Sequence, residues 1–478
     1  MKTYDKQFIG GEWVEGTGTP GLENRNPFTG ELIYAYTGAS KQDLDAAYAA
    51  AAAAQPAWAA TPPAAKQALL GKVAEAIAGM KDEVYACMVE EGGSTRPKAD
   101  FEFFVSQDIC HEAQAFPYMM DGRIMPSNIP GKDNYIYKEP KGVIGVIAPW
   151  NVPLVLAMRS VAPAIACGNA VVMKPATDTP GSAFLMAEFF ERAGLPAGVL
   201  NVVAGRGSEI GDAFVAHPVP SLISFTGSTA VGTRIGEVAS GQLKDISLEL
   251  GGNNSMLVMP DADLDKAVAA ALFGAFFHQG QVCMALNRIV VVGAAHDAFV
   301  EKLVAATREI PVGDPADPKT FIGPIISQAQ VASIEGFIEG TIAWGATVAL
   351  EGRTGGPLIH PWIFTDVTND APAARHEVFG PVCCVLKAKD EDEAVAIIND
   401  TEYGLSNCVF TADLYRGMAV ARRLESGMVH VNDQSINDEP HVMFGGEKHS
   451  GVGRFNAQWV VDKFTRDRWV SVQREYRF

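Results

Sequence analysis

The sequence predicts an α/β protein built from two parallel-sheet units and a small β arm. Three observations carry this. Short strand-like runs alternate with helix-like segments from residue 143 to residue 252. A second alternating series runs from residue 263 to residue 432. Two polar, alternating segments, 123–141 and the end of 458–478, stand outside both series. Strand–helix alternation puts helices on both faces of a parallel sheet.

In chain order, residues 5–37 read as strands and Gly-punctuated turns ("QFIGGEWVEG", "ELIYAYTG"). Residues 41–122 read as helical, Ala-rich with apolar spacings of three and four; Leu44, Ala47 and Trp58 make the alanine run at 49–54 an amphipathic helix. Strands follow at "VIGVIA" (143–148), "AVVMKP" (170–175), "VLNVVAG" (199–205), "LISFTG" (222–227) and "ISLELGG" (246–252). Helices are expected between them at 153–167, 180–193, 207–216 and 229–240. The second series has helices at 263–277, 296–309, 391–399 and 414–425 and strands at 288–293, 382–388, 405–411 and 428–432, with a looser stretch in its middle. The terminal "DRWVSVQREY" reads as a strand that pairs with 123–141.

At about 150 residues per domain, 478 residues make two large domains or three smaller ones. Asp+Glu (56) exceeds Lys+Arg (38), a net charge of −18, which argues against nucleic-acid or anionic-membrane binding. The seven cysteines include no CxxC pair, so reduced thiols and no metal site are expected. The N-terminal "MKTYDKQFIGGEW" has no apolar secretory core, and no apolar run reaches the roughly 18 residues of a membrane span. These features point to a cytoplasmic protein.

Several stretches carry chemistry. The GxGxxG string "GTGTPG" (Gly16–Gly21) contains Pro20 and lacks a strand–turn–helix setting, so it reads as a surface turn. "GSTAVG" follows a strand and opens a helix; Gly227 and Ser228 either cradle a diphosphate or simply cap the helix. In "APWNVP", Trp150 and Asn151 sit at a strand's carboxyl end, where Asn151 is either a turn residue or an amide donor to an oxyanion. Glu249 in "LELGG" is either a structural carboxylate or a general base with raised pKa. Cys283 differs from the other cysteines in its loop-like surroundings, "HQGQVC"; a thiol needs such access to act as a nucleophile.

Together these residues resemble the aldehyde dehydrogenase superfamily over essentially the whole chain. "PWN", "KPA", "FTGSTAVG", "LELGG", "GQVC", "EVFGPV" and "FGG…SGVGR" occur in the family's order and spacing. "SLISFTGST", "LELGGNN" and "HVNDQSINDEP" resemble its bacterial vanillin and benzaldehyde dehydrogenase branch. The resemblance implies a Rossmann-like cofactor domain (1–122 and 142–251), a catalytic α/β domain (252–457) and an oligomerisation arm (123–141 and 458–478). It implies that Cys283 attacks an aldehyde and that Asn151 and the Cys283 backbone N–H hold the oxyanion. Hydride then passes to a nicotinamide, and Glu249 activates the water that hydrolyses the thioester. It places Trp150, Lys174, Thr177, Gly227, Ser228, Glu377 and Phe379 at the cofactor. NAD-preferring members usually carry Glu three positions after the Lys of "KPA"; Thr177 stands here, so NADP is expected alongside NAD.

By the same resemblance Val152, Leu156, Arg159, Met284 and Phe444 line or border the substrate tunnel. Apolar walls suit an aromatic or medium aliphatic aldehyde. Arg159 either bonds a ring hydroxyl or carboxylate, or pairs with a structural acid. The expected activity is NAD(P)-dependent oxidation of a benzaldehyde- or vanillin-type aldehyde to its acid; a semialdehyde or aliphatic substrate is the alternative. A non-catalytic protein of this fold is a third reading, opposed by the intact Cys283, Glu249 and Asn151. A cysteine hydrolase would need a histidine partner, and His278, five positions before Cys283, reads as structural. A homodimer or homotetramer is expected from the arm.

Overall fold

The computed structural model describes residues 2–476 and 478. Its first sheet has eight strands, in the order Glu12–Val14, Gln7–Ile9, Leu200–Val202, Ala170–Lys174, Val143–Ile147, Leu222–Thr226, Asp245–Glu249 and Gly451–Val452. The five strands from Leu200–Val202 to Asp245–Glu249 are parallel, and the outer ones antiparallel. The chain builds outward from Val143–Ile147 in one direction, then returns and builds outward in the other. The reversal falls between Val143–Ile147 and Leu222–Thr226, the position where open α/β sheets bind ligands.

Helices cover both faces. Lys41–Ala59 starts at a capping box: Ser40 accepts from the Asp43 amide and Asp43 from the Ser40 amide. It buries Leu44, Ala47, Tyr48, Ala51 and Trp58, as the apolar spacing predicts. Pro153–Ala166 is buried along its whole length, so its apolar run needs no polar face.

The second sheet runs Thr347–Leu350, Trp362–Thr365, Val382–Ala388, Leu286–Val292, Asn254–Val258, Ser406–Phe410 and Met428–Val431, all parallel except the first pair. Cys383 and Cys384 face opposite sides of it, in separate apolar clusters. The sequence reading misses Asn254–Val258, although that strand lies between Leu286–Val292 and Ser406–Phe410. Its looser stretch holds the helix Gln328–Trp344, capped by Ser327, and two strands.

The arm is a three-stranded antiparallel sheet of Arg123–Met125, Lys132–Pro140 and Thr465–Gln473, with Thr465 opposite Pro140 and Gln473 opposite Lys132. Two segments depart from the expected division of the chain. The segment 458–478 opens in a helix, Ala457–Phe464, whose Val460, Val461 and Phe464 are buried and which packs on Pro153–Ala166. Gly451–Val452, expected with the second unit, completes the edge of the first sheet.

Candidate active site

The helix Leu264–Phe276 ends abruptly. Its continuation turns on three successive residues in the left-handed region, His278 (φ 50°), Gln279 (φ 58°) and Gly280 (φ 72°). Such backbone persists only where its surroundings hold it. The Gln279 amide donates to Pro324 O (2.8 Å), and the Gln281 side chain accepts from the Ile326 amide (3.1 Å). A Cβ on Gly280 would stand 2.3 Å from Gly380 O, so glycine alone fits. This turn delivers Cys283 to the floor of a cleft at the reversal point of the first sheet. Of the seven cysteines only Cys283 is not buried. Burial still pushes its thiol up to about 12, with the Glu377 carboxylate adding to the effect.

The cleft has a volume of about 490 Å³ and is lined by Trp150, Asn151, Leu156, Lys174, Thr177, Gly227, Ser228, Cys283, Glu377 and Phe379. Every expected cofactor residue thus meets there, with Leu156, expected on the substrate side. Gly207, Val231, Gln330 and Ser333 also line it and were not expected. Gln330 had no signal in sequence; it donates to Phe379 O (3.0 Å) and fixes that residue, which is itself left-handed (φ 54°). The Phe379 ring stands edge-on to Trp150, 5.4 Å between centres.

The "LELGG" glycines are required by close approach. A Cβ on Gly251 would lie 2.3 Å from Glu377 Oε2, and one on Gly252 would lie 2.3 Å from Cys283 O. Glu377 accepts from the Gly252 amide (2.9 Å), and burial pushes its carboxyl up to about 7. Asn254 donates to Cys283 O (2.7 Å) and Ala285 O (2.9 Å), locking the loop from behind. Asn151 Nδ2 donates to Gln281 O (2.8 Å). A side-chain amide carries two N–H groups, so one donor of Asn151 is left for another acceptor.

Ser228 occupies the N-cap position of Thr229–Ser240 but makes no side-chain cap hydrogen bond. Its hydroxyl is thus not engaged in capping, and Ser228 lines the cleft at the helix N-terminus, a place that suits an anion. Gly227 has no room for a Cβ, which would stand 2.4 Å from the Phe225 ring. Lys174 donates to Pro175 O (3.0 Å); burial lowers it to about 8. These groups fit an adenine dinucleotide. Thr177 faces the cleft, whereas Asp178 borders a separate hollow beside Asn24 and Ser327.

Glu249 lies behind the cleft, buried, with neither carboxylate oxygen hydrogen-bonded among the described residues. Burial pushes it up to about 7 against the lowering influence of Lys463, Arg159 and Arg454. The structural-carboxylate alternative predicts hydrogen-bond partners that are not present. Of the residues expected around the substrate, only Leu156 lines the cleft; Val152, Met284 and Phe444 are buried in the extended apolar core of the first unit, against which Cys283 packs. Arg159 lies over the Phe444 ring, 4.0 Å from its centre, and pairs with Asp438, both side chains buried. The structural-acid alternative therefore describes one side of Arg159; its Nε and Nη1 have no hydrogen-bond partner among the described residues. His278 is buried and neither ring nitrogen bonds to Cys283, so the cysteine-hydrolase reading lacks its base. Among the described residues no cluster of His, Cys, Asp and Glu could hold a metal ion, and no helix is long and apolar enough to cross a membrane.

Comparison with known proteins agrees with this geometry. The profile of the aldehyde dehydrogenase family matches residues 13–470. A vanillin dehydrogenase of Corynebacterium glutamicum is 50% identical over 98% of this chain and 98% of its own length. A benzaldehyde dehydrogenase of Bacillus subtilis is 47% identical over 99% and 98%. The crystal structure of an NAD-dependent benzaldehyde dehydrogenase from Corynebacterium glutamicum superimposes with a TM-score of 0.91 at 47% identity, covering 98% of each chain. The fold, the cleft at the sheet reversal and these relatives together define an oxidoreductase that acts on aldehydes. The chain belongs to the aldehyde dehydrogenase family.

Proposed function

We propose that this chain oxidises aromatic aldehydes of the benzaldehyde and vanillin type to carboxylic acids, with NAD and also NADP as cofactor. The observation that carries the reading is Cys283 on the cleft that gathers the expected cofactor residues, packed on its other side against the apolar core. The thiolate of Cys283 adds to the aldehyde carbon. The free N–H of Asn151 and the Cys283 amide stabilise the oxyanion. The bound dinucleotide supplies a hydride acceptor. Glu249 then takes a proton from water as the water oxygen attacks the Cys283 thioester; the acid leaves and the thiolate is restored.

The aromatic preference rests on the substrates for which the relatives are named and on the apolar side chains Val152, Leu156, Met284 and Phe444 expected around the substrate. NADP use rests on Thr177, which lines the cleft and offers no charge against a 2′-phosphate; the adjacent acid, Asp178, borders a separate hollow and interacts with Lys174. A panel of benzaldehyde, vanillin, a medium aliphatic aldehyde and a semialdehyde, each with NAD and NADP, tests both. The highest kcat/KM is expected for the aromatic aldehydes. A semialdehyde or aliphatic optimum overturns the substrate reading, and strong exclusion of NADP overturns the cofactor reading.

Arg159 has two buried donors to offer a ring oxygen. In the same panel Arg159→Leu with Asp438→Asn, which leaves no unpaired buried charge, should lower kcat/KM for ring-hydroxylated benzaldehydes about tenfold relative to benzaldehyde. An unchanged ratio assigns Arg159 to packing alone. The arm exposes Ile124, Met125, Trp469 and Val472. By strand alternation Ile124 and Val472 lie on one face of that sheet and Met125 and Trp469 on the other. Exposed apolar side chains of this kind fit subunit pairing in a homodimer or homotetramer, which the mass in solution distinguishes from a monomer.

A further inference from the structure

Glu249 has a neighbour that the reaction as written does not use. Residues two apart on a strand share a face, so Ser247 and Glu249 project together from Asp245–Glu249. That face meets the helices Pro153–Ala166 and Ala457–Phe464, which pack on each other. Ser224, opposite Ser247 in the sheet, bonds Ser160 of the first helix (3.0 Å). Lys463 of the second helix donates to Ser247 Oγ, and its ammonium lies 3.2 Å from the centre of the Phe455 ring. Gly453 borders the same spot; a Cβ there would stand 3.4 Å from Ser247 Oγ and 3.6 Å from Lys463 Nζ. Ser247, which holds the ammonium, stands one strand repeat, roughly 7 Å, from Glu249 on the same face.

The charged groups around Glu249 are Lys463, Arg159, Arg454 and Asp438. Arg159 is paired with Asp438, and Arg454 with Glu447. Lys463 forms no ion pair among the described residues, and on its outer side it borders a surface hollow with Lys141, Asp245 and Asp462. A buried carboxylate without a partner thus stands near an ammonium without a counter-ion. Of the charges that favour ionised Glu249, Lys463 has the largest effect, and burial holds Lys463 itself down to about 7. The two groups share one balance of protons near neutral pH.

We propose that Lys463 is a positioning residue for deacylation: anchored on Ser247 and seated against Phe455, its ammonium holds Glu249 in the ionised, proton-accepting form. This rests on the reading of Glu249 as the base for thioester hydrolysis. The test is the pH profile of the steady phase that follows the first turnover with benzaldehyde and NAD. Removing a positive charge makes the carboxyl a weaker acid, so in Lys463→Met the acidic limb should move up by about one pH unit. The burst of reduced nicotinamide should persist, because acylation does not use Glu249. Lys463→Arg should return the limb toward its original position, which a purely packing role would not require. Ser247→Ala, which frees the ammonium without removing it, should move the limb the same way by less. Limbs that coincide with the unsubstituted enzyme, in whichever of Lys463→Met and Ser247→Ala folds and gives a burst, overturn the proposal. Loss of the burst together with turnover in Glu249→Gln would instead overturn the reading of Glu249 as the base for hydrolysis.

Discussion

Cys283→Ala is expected to lose both the burst of reduced nicotinamide and steady turnover with benzaldehyde, by roughly 10⁴-fold or more, while keeping its fold. The size follows from covalent catalysis: without the sulfur there is no tetrahedral centre from which hydride can leave. Cys283→Ser should fail nearly as badly, because a hydroxyl at this site has no adjacent base; His278 does not bond to Cys283, and Glu249 lies outside the residues that line the cleft. The thiol also has a signature in the chain alone. The other six cysteines are buried, so a thiol reagent such as iodoacetamide should modify one residue of the folded protein. With its thiol pushed up to about 12, the alkylation rate of Cys283 should climb about tenfold per pH unit from neutral upward. A Cys283→Ala variant that still showed a burst would remove this residue from the chemistry.

The parts of the site that were legible in sequence are those whose residue type is unusual for its local setting. Cys283 stands among loop residues, Glu249 inside an apolar strand, and Gly227 and Ser228 where a strand gives way to a helix. Each stood out against its local setting, and the structure puts Cys283, Gly227 and Ser228 on the cleft and leaves Glu249 buried without a hydrogen-bond partner among the described residues. The paired glycines after Glu249 were visible too, but their purpose was not. Only the fold shows that Gly251 makes room for Glu377 and Gly252 for the backbone of Cys283. Asn254–Val258 was missed for a physical reason: five residues buried on both faces carry no alternation, and a strand that follows Gly-Gly-Asn directly has no separate start signal. Gln328–Trp344 does carry spacing of three and four in Val331, Ile334 and Ile338, but the turn-rich sequence on both sides hid it. Lys463 and Gln330 had no signal at all, and Asp438 and Asn254 lay inside "HVNDQSINDEP" and "LELGGNN" with nothing to mark their roles. Each is an ordinary polar residue whose role comes from a partner distant in sequence: Ser247, Phe379, Arg159 and Cys283 respectively.

Glu249→Gln should separate the two halves of the reaction. Glutamine keeps the shape of the side chain and cannot take a proton from water. The burst should remain at about one equivalent per active site, and the steady rate should fall roughly 10²–10⁴-fold, the range for loss of a general base. The pH profile supplies an independent check. Burial raises Glu249 to about 7, so the carboxylate form dominates above that pH and is lost below it. In the unsubstituted enzyme the hydrolytic step should therefore fall about tenfold per unit as the pH drops below 7 and level off above it. In Glu249→Gln the residual rate should lack that limb. Loss of the burst together with turnover would mean that Glu249 acts earlier, as the base that ionises Cys283. In this structure Glu249 makes no hydrogen bond to Cys283, and its charge opposes ionisation of the thiol. A carboxylate that opposes the thiolate while free is suited to the later step, when the sulfur carries a neutral acyl group and the incoming water needs a base.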